Sequence, residues 1–190
     1  MIRAFIAIEL NDRITIDNIK SFSARLKQNQ NKLKVVAPEN LHMTVKFLGN
    51  ISESLAPKIY MILKEEINEN MFEGKKFEYN LKGVGQFNKF SVLWVKLIGD
   101  IQFLQEVKNS IEQLLDESLD IQRDRRTQFK PHLTIGRLKK EKINYQTFSA
   151  LKNLIHENKN LEFGPFIVDQ VRLKKSVLTS KGPIYSDLVY

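Results

Sequence analysis

The stretch His42-Met43-Thr44-Val45 and its echo, His132-Leu133-Thr134-Ile135, decide how this chain is read. Each runs histidine, apolar, threonine, apolar. Successive side chains of a β-strand point to opposite faces, so as strands both stretches turn His and Thr to one side and the two apolar residues to the other. One side is suited to burial and the other to chemistry. The histidines lie 90 positions apart in a chain of 190 residues, a spacing that predicts two similar lobes facing one site. A single His among apolar neighbours is most often a hydrogen-bonded core residue. Two in one pattern, each with an in-phase Thr, point instead to a shared site.

Composition narrows the chemistry. There is no cysteine, which excludes disulfides, thiolate metal sites and cysteine nucleophiles and fits a reducing, cytoplasmic setting. A hydrophobic content of 42% is enough for a single domain spanning residues 1–190 to bury a core without staples. The apolar opening, Ile2 to Ile8, is too short for a secretory core or a membrane span and reads as a buried strand. No other run approaches the roughly 20 residues of a membrane helix, so no membrane partner is expected.

The net charge of +8 is concentrated in one place. From Arg123 to Lys142, eight basic residues (Arg123, Arg125, Arg126, Lys130, Arg137, Lys139, Lys140 and Lys142) stand against Asp124 and Glu141, a net of +6. A basic run is usually a solvated surface. This one brackets His132, and clustered Lys and Arg attract phosphate backbones, so a polyanionic substrate is the better account.

Around the two motifs, strands and helices alternate in two successive sets. Asn11 is placed to cap a helix over residues 12–28 whose Ile16, Ile19, Phe22 and Leu26 share a face. Pro38-Glu39-Asn40 forms a turn into the His42 strand, which ends at Gly49-Asn50. A second helix is expected over 52–69 and strands over 77–82 and 93–98, with Gly83 and Gly85 breaking the pattern between them. A strongly amphipathic helix of about 18 residues starts at Asp100. After the second motif come a weaker helix over 145–156, a strand over 166–173 and a last strand over 184–190. The third histidine, His156, near the end of that weaker helix, has no in-phase threonine and reads as a surface residue.

Two histidines without nearby carboxylates make a poor zinc site, and no Gly-x-Ser-x-Gly elbow supports a serine hydrolase. Two imidazoles on opposite walls of a cleft do suit phosphodiester cleavage, where nucleophile and leaving oxygen lie on opposite sides of phosphorus. One imidazole takes a proton and the other gives one, both near pH 7. Thr44 and Thr134 would then hydrogen-bond the non-bridging phosphate oxygens, and no cofactor is required. The motifs are symmetric, so spacing alone does not say which His is acid and which is base.

The stretches Pro38 to Gly49 and Phe129 to Arg137 resemble the paired H-x-T-x motifs of the two-histidine phosphoesterases, in particular the LigT-like RNA 2′,3′-cyclic phosphodiesterases. The opening Arg3 to Ile8, the strand around Trp94 and the ending from Leu173 through Ser176 to Gly182 and Tyr185 are similar too, so the resemblance covers nearly the whole chain. It implies an α+β fold that is bilobal, with two pseudo-symmetric lobes, each an antiparallel sheet with outer helices, and an active-site groove between them. It further implies metal-independent hydrolysis of an RNA 2′,3′-cyclic phosphate end to a 2′-phosphate, with His42 as proton donor to the leaving 3′ oxygen and His132 as base for the attacking water. Joining of RNA ends through a 2′,5′ linkage is implied as the reverse reaction, and a monomer is expected. An RNA or nucleotide binding module keeping the motifs as a phosphate cradle, or a cyclic phosphodiesterase acting on a non-RNA nucleotide, are the alternatives.

Strand phase adds two substrate-binding candidates, Lys46 and Lys130, on the faces of His42 and His132 respectively. Gly136, next in phase, would let a ligand approach the backbone. Arg137 is out of phase with His132, and reaches the site only if the strand ends or twists before it.

Overall fold

The computed structural model describes residues 1–125, 128–180 and 182–190; Arg126 of the basic run lies outside them. The strands are β1 (Ile2–Glu9), β2 (Lys34–Val35), β3 (His42–Ile51), β4 (Phe77–Phe87), β5 (Val92–Ile98), β6 (His132–Arg137), β7 (Glu162–Val168), β8 (Arg172–Thr179) and β9 (Gly182–Asp187). The helices are α1 (Arg13–Asn29), α2 (Leu55–Ile62), α3 (Ile101–Leu119) and α4 (Phe148–Glu157), with α2 running on into a π-helical segment, Leu63–Phe72.

Alternating apolar positions draw these strands into one antiparallel sheet in the order β7-β4-β5-β6-β3-β1-β8-β9, with β2 added against β6. The two motif strands are neighbours at its centre. They meet at one ladder position, Met43 opposite Leu133, and both side chains are fully buried. Burying each is worth about 1.5–3 kcal/mol. From this seam β1, β8 and β9 extend to one side and β5, β4 and β7 to the other, so the two lobes are halves of one continuous sheet. Antiparallel register places Thr134 across from His42 and His132 across from Thr44, a pseudo-two-fold arrangement about the Met43–Leu133 pair.

Helices exchange between the halves. The chain leaves β1 into α1, yet α1 packs on β7 and α4 of the other half, while α3, which follows β5, packs on α2 and its π-helical extension. The buried apolar residues accordingly form one contiguous cluster. No helix among the described residues is long and apolar enough to cross a membrane.

Several boundaries differ from the sequence reading. The cap of α1 is Asp12, whose carboxylate accepts from the Thr15 amide at 2.8 Å, and not Asn11. The expected strand over 166–173 is the end of β7 and the start of β8, because the Val171 amide leaves the ladder to donate to Asn68 Oδ1 at 2.8 Å and the chain turns there. Gly83 and Gly85 lie inside β4. Gly85 is required there by packing: a Cβ would sit 2.2 Å from the Trp94 ring, which crosses the sheet over it.

Candidate active site

Both motif strands carry a β-bulge directly after the threonine. Against β1, Ala7 pairs with Thr44 and Ile6 with Lys46, leaving Val45 extra. Against β5, Trp94 pairs with Thr134 and Leu93 with Gly136, leaving Ile135 extra. The extra residue inverts the two-residue phase of the positions beyond it. The fourth residue after each His therefore joins the core face, and the fifth returns to the face of the His and Thr.

This corrects the reading of Lys46 as a phosphate contact. Lys46 is turned away from the site and only 2% exposed. Its ammonium lies 2.8 Å from Glu112 Oε2 and 2.9 Å from the Gln122 carbonyl. Lys108 completes the network, 2.6 Å from Glu112 Oε1 and 2.7 Å from Asp124 Oδ2. Gly136 is likewise on the core side, where a Cβ would come 3.3 Å from Leu33, so it offers no backbone to a ligand. The fifth positions are Phe47, 66% exposed, and Arg137, also exposed. Arg137 is thus in the site, and its field reaches His42, His132 and Tyr185.

The two imidazoles are held alike. His42 Nδ1 lies 2.7 Å from the Asn40 carbonyl, and His132 Nδ1 lies 2.7 Å from the Lys130 carbonyl. A carbonyl only accepts, so each Nδ1 carries a hydrogen, and Nε2 is the nitrogen left for substrate. Thr44 Oγ1 sits 3.1 Å from His42 Nε2. Burial pushes both imidazoles below their ordinary 6.5; the carbonyl bonds oppose this, Arg137 adds to it at both, and at His42 Lys174 adds to it while Glu9 opposes. Asn40 also acts through its side chain, whose amide donates to the Pro183 carbonyl at 3.2 Å and moors the β8–β9 hairpin where the curled sheet brings it back toward His42.

Aromatic rings flank each histidine, a feature that motif spacing did not reveal. Phe5 and Tyr185 lie 5.0 and 5.3 Å from the His42 ring; Phe87 and Trp94 lie 5.0 and 6.3 Å from that of His132. Lys130 is exposed, in the loop that leads into β6. Of the rest of the basic run, Arg123 is bound to Asp116 at 2.9 Å and Lys139 lies 3.9 Å from Glu141. Two cations outside the run escape a reading by charge density because neither lies in a dense basic stretch. Lys34 faces Arg137 across the β2–β6 ladder and Lys96 faces His132 across the β5–β6 ladder; both are exposed. His156 is exposed in the last turn of α4.

Among the described residues no three His, Cys, Asp or Glu side chains gather as a metal donor set. What the groove offers is two imidazoles, two hydroxyls and a guanidinium around one seam, the equipment to move protons at a phosphate and to balance its charge.

Residues 4–186 match the family model described as the AKAP7 2′5′ RNA ligase-like domain. The chain is 34% identical to the RNA 2′,3′-cyclic phosphodiesterase of Methanocaldococcus jannaschii, covering 96% of each chain. It is 30% identical to the protein of that name from Methanothermobacter thermautotrophicus, covering 98% of this chain and 96% of the relative. Among solved structures, TT0787 of Thermus thermophilus superposes with a TM-score of 0.72 at 25% identity over 98% of this chain and 95% of that one. Escherichia coli LigT in its apo form gives 0.69 at 22% identity over 99% and 95%. With its two bulged motif strands at the centre of the sheet, the chain belongs to the 2′5′ RNA ligase-like family.

Proposed function

We propose that this protein hydrolyses the 2′,3′-cyclic phosphodiester at an RNA end to a 2′-phosphomonoester by general acid–base catalysis from two histidines, without a metal. The observation that carries the reading is the matched pair of imidazoles about the seam, each with Nδ1 tied to the carbonyl two residues before it. The curated relatives named RNA 2′,3′-cyclic phosphodiesterase support it.

His132 Nε2 takes a proton from water as the water oxygen bonds to phosphorus. The bond from phosphorus to the 3′ oxygen breaks, and that oxygen leaves with the proton of His42 Nε2. Thr44 and Thr134 donate to the non-bridging oxygens, and the Arg137 guanidinium balances the charge that grows on them. Lys130, exposed on the His132 side, adds a cation for the RNA backbone. With an RNA hydroxyl in place of water, the same displacement makes a 2′,5′ linkage.

The test is incubation with an oligonucleotide ending in a 2′,3′-cyclic phosphate, in the presence of a strong chelator, with identification of the product isomer. A 2′-phosphate is expected. A 3′-phosphate would overturn the assigned leaving group, and activity lost in chelator and restored by zinc would overturn the metal-free scheme.

A further inference from the structure

We propose that Lys96 and Lys130 form a second phosphate subsite, which takes the phosphodiester adjoining the reacting one, with Trp94 as the stacking floor for a base beside it. The proposal rests on the RNA reading above and names how a polymer, as distinct from a mononucleotide, would be held.

Three observations carry it. First, Lys96 is the direct ladder partner of His132 and so shares its face, whereas its neighbours Val95 and Leu97 are buried on the other. Lys130 lies in the loop two residues before His132, its carbonyl 2.7 Å from His132 Nδ1, so the two exposed lysines flank the same imidazole. Second, neither ammonium has a carboxylate within 4.0 Å among the described residues. The contrast is with Arg172 and Lys174 on the same face of the other half, each held by both Glu9 and Asp187. Two uncompensated cations beside the reacting centre favour an anion bridging them.

Third, Trp94 precedes Lys96 by two residues, about 7 Å along the strand on one face. Its ring lies over Gly85 and 5.0 Å from Phe87. The ring keeps this place although its indole N–H is enclosed without an acceptor among the described residues, an unfavourable burial. A flat aromatic surface alternating with a cation along one strand is the pattern that binds single-stranded nucleic acid, with bases stacking and phosphates paired to the cations. A nucleoside 2′,3′-cyclic phosphate has one phosphate and no group to place on this pair of lysines; a dinucleotide ending in the cyclic phosphate has one.

The experiment compares Lys96→Ala and the double variant with Lys130→Ala against wild type on those two substrates. The double variant should lose at least tenfold more in kcat/KM on the dinucleotide than on the mononucleotide. Equal losses on both would assign the lysines to the reacting phosphate and overturn the subsite, as would no loss on either. Direct binding of a fluorescent single-stranded pentanucleotide needs no turnover, so it tests the lysines even if the chemistry assigned to the histidines fails. The double variant should bind more weakly, with a logarithmic salt slope shallower by about 0.7, the share of the one phosphate that the two lysines hold on a single strand. An unchanged slope would overturn the proposal. Trp94→Leu should weaken the pentanucleotide with its slope retained, and unchanged affinity would remove the stacking floor.

Discussion

The two halves of the sheet carry the same motif and the same bulge, but they treat charge in opposite ways. On the His42 face of the β3 half, Lys174 and Arg172 are both locked to Glu9 and Asp187, and behind it Lys46 is sealed against Glu112. On the β6 half, Arg137, Lys130 and Lys96 stand without carboxylate partners among the described residues. The fifth position after each histidine repeats the contrast, phenylalanine in one strand and arginine in the other. The cations of one half are compensated in the free protein, whereas those of the other are not. The pseudo-symmetry is therefore one of paired imidazoles, and the asymmetry is one of charge compensation.

The largest effects should fall where the halves are alike. His42→Ala and His132→Ala are each expected to lower kcat by about 10²- to 10⁴-fold with the fold intact. Near-full activity in either variant would remove that residue from the chemistry. Next is the sealed network: Lys46→Met leaves Glu112 with one cation and should cost about 3 kcal/mol of stability in urea unfolding, at the low end for a broken buried pair because Lys108 remains. Its counterpart, Gly136→Ala, asks only that Leu33 shift by a few tenths of an ångström and should cost about 1 kcal/mol.

The fifth positions then separate the halves directly. Arg137→Leu should lower kcat/KM about 10²-fold and move the pH profile to higher pH, since Arg137 holds both imidazoles down. Phe47→Leu should leave that profile in place. A shift of equal size in both variants would erase the distinction. The smallest effect concerns stability. Because burial depresses His42 in the folded state, its contribution is complete above about pH 6.5 and is lost as pH falls through the folded value. His42→Gln should therefore flatten the fall in Tm between pH 7 and 5, and an unchanged fall would assign it to other groups.

Much of this was legible in the residues. Alternation in His42-Met43-Thr44-Val45 put Met43 and Val45 in the core and turned His42 and Thr44 to the opposite face, as burial bears out. The periodicity of α3 could be read because it is local. What counting by twos missed lies beyond the threonines. A bulge is fixed by pairing with a distant strand, here β1 and β5, and it exchanged Lys46 for Phe47 and Gly136 for Arg137 on the working face. Compensation was equally hidden: Arg123 is bound by Asp116, while Lys96, alone in an apolar strand, has no carboxylate partner among the described residues. Sequence proximity measures a charge run, but only the fold decides which charges are already satisfied.

Asn40 gives the molecule a weak point with a particular signature. Its carbonyl orients His42 and its amide holds Pro183 at the tip of the β8–β9 hairpin, and β9 is the outermost strand of its half of the sheet. Edge hairpins open locally at a smaller free energy than the whole sheet. Heat should therefore silence the enzyme before it melts it: amide exchange would rise in β9 first, and the inactivation midpoint would fall below the calorimetric Tm, with one hairpin acting as a thermal fuse for one histidine.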